Sequence, residues 1–180
     1  VGVGPVISFD NRDDVDCPTR GDFFLISMRY YPELFKQGYD YSDYTFDFRK
    51  YLDLKRGFVL AFQLLNRMTN GSIPFYEMPK LAGPYHLRGF EHRSKFIDEN
   101  LAYFQAELRK HLFWRLGVVA FAGVGNTYSD YKPFDEALKY VAGFGTRFQL
   151  RSDSRINFRA DFGFGSNGDN AVFLTVREAF

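Results

Sequence analysis

Residues 156–165 read Ile-Asn-Phe-Arg-Ala-Asp-Phe-Gly-Phe-Gly. In an extended chain Ile156, Phe158, Ala160, Phe162 and Phe164 share one face, and Asn157, Arg159, Asp161, Gly163 and Gly165 share the other. A helix would scatter both sets around its axis, so the period of two specifies a strand. The same alternation recurs on either side. Phe58, Leu60, Phe62 and Leu64 oppose Ala61 and Gln63, and Tyr44, Phe46 and Phe48 oppose Asp43, Thr45, Asp47 and Arg49. Val172, Leu174, Val176 and Phe180 oppose Thr175 and Arg177.

Less regular alternation over 3–11, 22–31, 100–112, 117–128 and 139–150 brings the expected strands to nine, each about 9–13 residues long. Soluble strands usually run about 5–6 residues, whereas a tilted membrane strand needs about 9–11. The expected connections at 53–56, 113–116 and 151–155 are short. Those at 31–40, 69–99 and 129–138 are long and fall on the opposite edge, the pattern of an outer-membrane barrel. Segments 12–21 and 166–170 fit that pattern poorly. A helical turn over Phe134–Leu138 is the only helix expected.

Composition narrows the class further. The chain has 180 residues, 19% of them aromatic, and 23 basic against 22 acidic side chains. A net charge of +1 gives no support to nucleic-acid binding. No apolar run reaches the roughly 20 residues of a membrane helix, the longest being 116–125. Cys17 is the single cysteine, which excludes an internal disulfide and a cysteine metal cage. The sequence opens on Val1 with no signal-peptide pattern. A soluble barrel and a membrane barrel both remain compatible with the alternation. The membrane reading is favoured, because Asp47, Arg49, Glu107, Arg109, Arg147, Arg159 and Asp161 lie mid-strand on one face. They suit a polar lumen, whereas the Phe and Leu of the other face would overfill a lipocalin-like cavity. On this reading Phe180 belongs to an aromatic girdle facing lipid.

Catalytic patterns are absent from the sequence. His86, His92 and His111 lack metal-ligand spacing, His86 and His92 read as solvated loop residues, and no nucleophile motif or phosphate loop occurs. A non-enzyme is expected, with no cofactor and no metal.

Several motifs occur in a defined order: Leu87-Arg88-Gly89-Phe90 in the longest loop, then NLAYFQAELRKHLFW, GVVAFAGVGNTY, YVAGFGTRFQL, RINFRADFGFG and a closing AVFLTVREAF. Together with the upstream GPVISFDNRDD and PTRGDFF they resemble the C-terminal barrel of the BamA/TamA outer-membrane assembly family, whose superfamily includes two-partner secretion transporters. The resemblance covers essentially all of 1–180. It implies an all-β, up-and-down transmembrane barrel or the C-terminal part of one, with eight or nine strands visible. It also implies a bacterial outer-membrane location and a role in inserting or moving polypeptides.

In that family the arginine of the loop folds back into the lumen and meets an acid on the wall. Here that implies Arg88, with Gly89 and Phe90, against Glu107 and beside Arg109. A second acid, common after Phe121, is replaced by Gly123, so the lock is expected to rest on Glu107. Gly123, Gly125, Gly143, Gly145, Gly163 and Gly165 fall on the inward phase with Arg147, Arg159 and Asp161, leaving room for the loop or providing curvature. The expected partners are outer-membrane lipid and client polypeptides. An odd strand number with a periplasmic C-terminus further implies earlier strands, a second copy of the chain, or a first segment outside the barrel. No client-receiving domain is seen ahead of the strands, which weighs against assembly if the mature protein begins at Val1. The competing expectation is an autonomous small barrel, alone or paired as a dimer, with a structural or lipid-contacting role.

Overall fold

The computed structural model describes residues 1–33, 38–91, 96–129, 137–151 and 154–180. The chain forms one antiparallel sheet in simple up-and-down order. Its strands are β1 (Val6–Asp10), β2 (Gly21–Tyr31), β3 (Tyr41–Lys55), β4 (Phe58–Gly71), β5 (Asn100–Phe113), β6 (Leu116–Tyr128), β7 (Lys139–Arg151), β8 (Ser154–Gly165) and β9 (Asn170–Val176). Each pairs with its neighbours in sequence, and β1 and β9 are the edges. The sheet is therefore open, as part of a barrel would be. β2 to β8 run 11–15 residues, the length expected of tilted membrane strands.

The short turns are built by backbone that turns back on itself within a few residues. Lys55, Arg56 and Gly57 all take positive φ between β3 and β4, as does Trp114 between β5 and β6. The Asp53 carboxylate accepts the Lys55 amide at 2.8 Å and steadies the first of these turns. The other end of the sheet carries the long loops. Segments 34–37, 92–95, 130–136 and 152–153 lie outside the described residues, and with them most of the expected 134–138 turn and His92.

Burial assigns the two faces. Phe58, Leu64, Phe104, Leu108, Phe144, Phe158, Phe162, Phe164, Val172 and Leu174 are exposed on the outside. Asp47, Gln63, Gln105, Glu107, Arg147, Arg159 and Asp161 are buried on the inside. A soluble barrel has the reverse arrangement, so the apolar exterior is a surface made for lipid. Aromatic residues mark both rims: Phe113 and Trp114 at the short-turn end, Tyr30, Tyr39 and Tyr140 at the long-loop end, all exposed.

Two ends depart from the expected strands. β1 is only five residues long. β9 stops at Val176, where Arg177 takes φ 73° and redirects the chain inward. Phe180 consequently lies not in a lipid-facing girdle but inside, 5% exposed, in a cluster with Tyr51, Ala61 and Ala179.

Candidate functional site

The inner face of the sheet holds the long loop between β4 and β5. After a 3-10 turn at Phe75–Glu77, the segment from Leu81 to Phe90 lies inside the sheet's curve. Leu81, Leu87 and Phe90 are fully buried and pack with Leu101 and Tyr103 of β5 and Val141 of β7. Phe90 meets Phe96 edge-on at 4.8 Å. Backbone bonds from Leu87 to the Leu81 carbonyl (3.1 Å) and from Leu81 to the Phe96 carbonyl (3.1 Å) fold the segment onto itself. Burying this much loop backbone is tolerable only because its polar groups find partners.

Glycine lets the loop approach so closely. A Cβ on Gly163 would overlap the Arg88 carbonyl, and one on Gly89 would sit 2.7 Å from the Gly165 amide nitrogen. A Cβ on Gly123 would sit 2.7 Å from Leu87, and one on Gly143 would overlap the Phe121 ring. The inward glycines are thus contact positions for the loop and for the ring that supports it.

Arg88 reaches the wall from the tip of this segment, with none of its surface exposed. Its Nη1 donates to Asp161 Oδ2 at 2.8 Å, its Nη2 forms an ion pair with Glu107 Oε1, and its guanidinium stacks over the Phe121 ring, 3.8 Å from the centroid. The single-acid lock expected from Glu107 is corrected here. The acid missing at Gly123 on β6 is supplied by Asp161 on β8, which reaches the same point across the curved sheet.

The lock is part of a larger network. Asp161 also accepts Arg147 Nη1 at 2.5 Å and lies 3.2 Å from Arg159 Nε. Glu107 Oε2 accepts Arg109 Nε at 2.8 Å. Arg159 Nη2 donates to the Pro84 carbonyl at 2.6 Å, and its Nε to Thr175 Oγ1 at 2.8 Å, so a second arginine grips the loop's backbone. Gln105 Nε2 donates to the Tyr85 carbonyl at 3.1 Å and to Gln63 Oε1 at 2.8 Å, and Gln63 Nε2 donates to Asp47 at 2.9 Å. A buried charge is costly unless paired; each of these charges has an ionic partner, while Arg88 Nε, Arg147 Nη2 and Arg159 Nη1 have no hydrogen-bond partner among the described residues.

Sequence reasoning placed Arg88, Gly89, Phe90, Glu107, Arg109, Phe121, Gly123, Gly143, Gly145, Arg147, Arg159 and Asp161 on one inward surface. The structure brings all of them together there, and only Phe180 sits on the face opposite to the expected one. It missed Glu178, whose Oε2 accepts Arg147 Nε at 2.8 Å and whose Oε1 accepts Asn157 Nδ2 at 2.9 Å. The signal was available, since on an unbroken β9 Glu178 would share the lipid-facing phase with Val176. It also misplaced His86, which is half-buried rather than fully solvated. His86 stacks edge-on against Tyr103 at 5.3 Å, and its Nδ1 is buried without a hydrogen-bond partner among the described residues. Burial lowers its pKa to about 4, the Asp47 charge opposing and the Arg49 charge reinforcing that shift. His111 lies at the short-turn end with Nε2 3.1 Å from the Trp114 carbonyl.

The loop between β4 and β5 is thus held by charge against the polar inner face of a wall that is apolar outside. The model of the Omp85 superfamily domain matches residues 3–172. No curated protein matches the chain.

Proposed function

The chain belongs to the Omp85 superfamily of outer-membrane assembly and translocation proteins, and we propose that it inserts or moves polypeptides at the bacterial outer membrane as a barrel of the BamA/TamA kind. Residues 1–180 supply barrel wall and gating loop, and no step of the work is enzymatic. The observation that carries the reading is the short, one-sided pairing of β9. β9 pairs with β8 over Phe158–Phe164 alone, and no described strand pairs with its other edge. An exposed edge of unpaired amides and carbonyls is a template for an incoming strand, and strand addition is an established mode of recognition. The lumen, closed by the Arg88 loop at one end, keeps water and ions from leaking while the seam works. Membership supplies the class of activity, and the edge supplies the place where a client strand would pair.

The test is site-specific photo-cross-linking in a reconstituted membrane. A photo-reactive residue at Leu174, on the outer face of β9, is expected to capture an unfolded outer-membrane polypeptide added from the short-turn side. The same residue at Phe48 on β3, within the paired part of the sheet, is expected to capture lipid. Capture of lipid alone at Leu174, with no acceleration of client insertion into vesicles, would overturn the reading in favour of an autonomous structural barrel.

A further inference from the structure

Beyond Val176 the chain leaves the sheet and enters a seat made by other elements. We propose that this seat, at the short-turn end of the lumen, is a peptide-binding site for a segment carrying a carboxylate side chain two residues before an aromatic ring, occupied here by the chain's own Glu178–Phe180. The proposal does not depend on β9 accepting a client strand, because the seat lies inside the sheet and not on its edge.

The tail is held by side chains rather than by a ladder. Among the described residues its backbone amides donate two bonds to the surroundings, Arg177 to the Asn157 carbonyl at 2.8 Å and Glu178 to the Asp16 carbonyl at 3.2 Å. The Glu178 carboxylate receives Arg147 at 2.8 Å and Asn157 at 2.9 Å, with Arg109 Nε at 3.9 Å. Phe180 lies against Tyr51, with ring centroids 6.4 Å apart, and its ring centroid is 5.7 Å from the Arg109 guanidinium. Arg109 Nη2 also donates to the Phe180 carbonyl at 3.3 Å, and its Nη1 to the Pro18 carbonyl at 3.3 Å.

Every wall of the seat belongs to the scaffold: Tyr51 on β3, Ala61 on β4, Arg109 on β5, Arg147 on β7, Asn157 on β8 and Pro18 in the first turn. The seat therefore persists when the tail leaves, and what it then asks for is defined. Arg109 and Arg147 keep Glu107 and Asp161 but lose their second carboxylate, which leaves a net positive seat, and the Tyr51–Ala61 surface loses its apolar ring. Beside the tail a further cavity of about 350 Å³, bounded by Cys17, Pro18, Val59, Arg109 and Arg147, leaves room for residues that the tail does not provide. A covalently tethered occupant has a high effective concentration, so the site is self-blocked until the tail swings out. Its intended partner is an acidic-aromatic segment of another polypeptide arriving at that end of the lumen.

The probe is a fluorescein-labelled, amide-capped peptide Arg-Glu-Ala-Phe, followed by anisotropy against the full chain in detergent. The double variant Glu178→Ala, Phe180→Ala empties the seat and is expected to bind the peptide at least tenfold more tightly than the unmodified protein. Adding Arg147→Ala, or replacing the peptide with Arg-Gln-Ala-Phe, is expected to cost at least tenfold. Equal affinity for the two peptides, or no binding by a folded double variant, would show the tail to be a structural plug only. A second measurement uses the same double variant, whose seat is empty. A bromoacetylated Arg-Glu-Ala-Phe is expected to alkylate Cys17, whose sulfur lies 3.9 Å from the Glu178 carboxylate, at least tenfold faster than the Gln peptide. Equal labelling, or none, overturns the proposal.

Discussion

Arg88 anchors the inward loop to the sheet through charge, and the arithmetic of that charge predicts which substitution hurts most. Four buried guanidiniums (Arg88, Arg109, Arg147, Arg159) share three buried carboxylates (Glu107, Asp161, Glu178). Removing a carboxylate deepens the excess of positive charge, whereas removing Arg88 relieves it. Asp161→Ala, which strips a partner from three arginines, is therefore expected to cost at least the roughly 3–5 kcal/mol of a broken buried pair, and Arg88→Ala less. Urea unfolding in lipid vesicles measures both. The Arg88→Ala, Glu107→Ala double variant is expected to lose at least about 1 kcal/mol less than the sum of the single losses, and additive losses would exclude the pairing. His86 adds a pH dependence of its own. Its folded pKa, about 4, lies below the ordinary value near 6.5, so the unfolded loop takes up a proton that the seated loop refuses. Loop seating is thus complete above pH 6.5 and weakens as pH falls toward 4, by at most about tenfold per pH unit. Asp47, Arg49 and Tyr103 face the ring, and their own titration is removed by comparison with His86→Gln, which is expected to flatten the profile between those limits. Protease access to the loop supplies the readout.

At the scale of the strand and the loop, a single added methyl tests whether the glycines exist for the plug. Gly163→Ala places a Cβ where the Arg88 carbonyl now lies, and backbone cannot yield as a flexible side chain can. The loop is expected to be displaced while the sheet remains folded, so trypsin should cleave after Arg88 in the variant and spare it in the parent. Uncut Arg88 in both would mean that the glycines provide curvature alone. The inward face of β5 to β8 was legible from alternation, because lipid outside and charge inside leave each side chain one permitted direction. Strand ends were not, since alternation carries no information about where pairing stops. Val172 to Val176 and Phe180 stay in phase on paper, yet Arg177 adopts a left-handed backbone conformation and the Arg109–Arg147 pair draws Glu178 inward. Asp161 was read as lumen wall without its partner, because β5 and β8 are brought together by sheet curvature, which no local pattern encodes. His86 was misread for a related reason: long loops are usually solvated, and only tertiary packing buries this one.

For the whole molecule the arrangement is a polar interior wrapped by an apolar exterior, and its meaning depends on what surrounds it. A bilayer and a protein partner would both cover Phe144, Phe162 and Phe164, but only a bilayer imposes a cost that varies with depth. Phe144 lies near the middle of β7 and Leu150 near its short-turn end, both exposed on the outer face. Six residues along a tilted strand separate them by about 15 Å along the membrane normal. Phe144→Arg is expected to destabilise the folded barrel by about 2–4 kcal/mol, and Leu150→Arg by at most about 1 kcal/mol. Refolding into phosphatidylcholine vesicles of graded acyl-chain length, with urea titration, measures the difference. In a thinner bilayer the Phe144 penalty should shrink, because the arginine then sits closer to headgroups and water, while the Leu150 penalty should scarcely move. A partner protein would give two penalties set by local packing, with no dependence on lipid length. Equal, length-independent costs would therefore remove the lipid from this surface, and with it the reason for placing the charges inside.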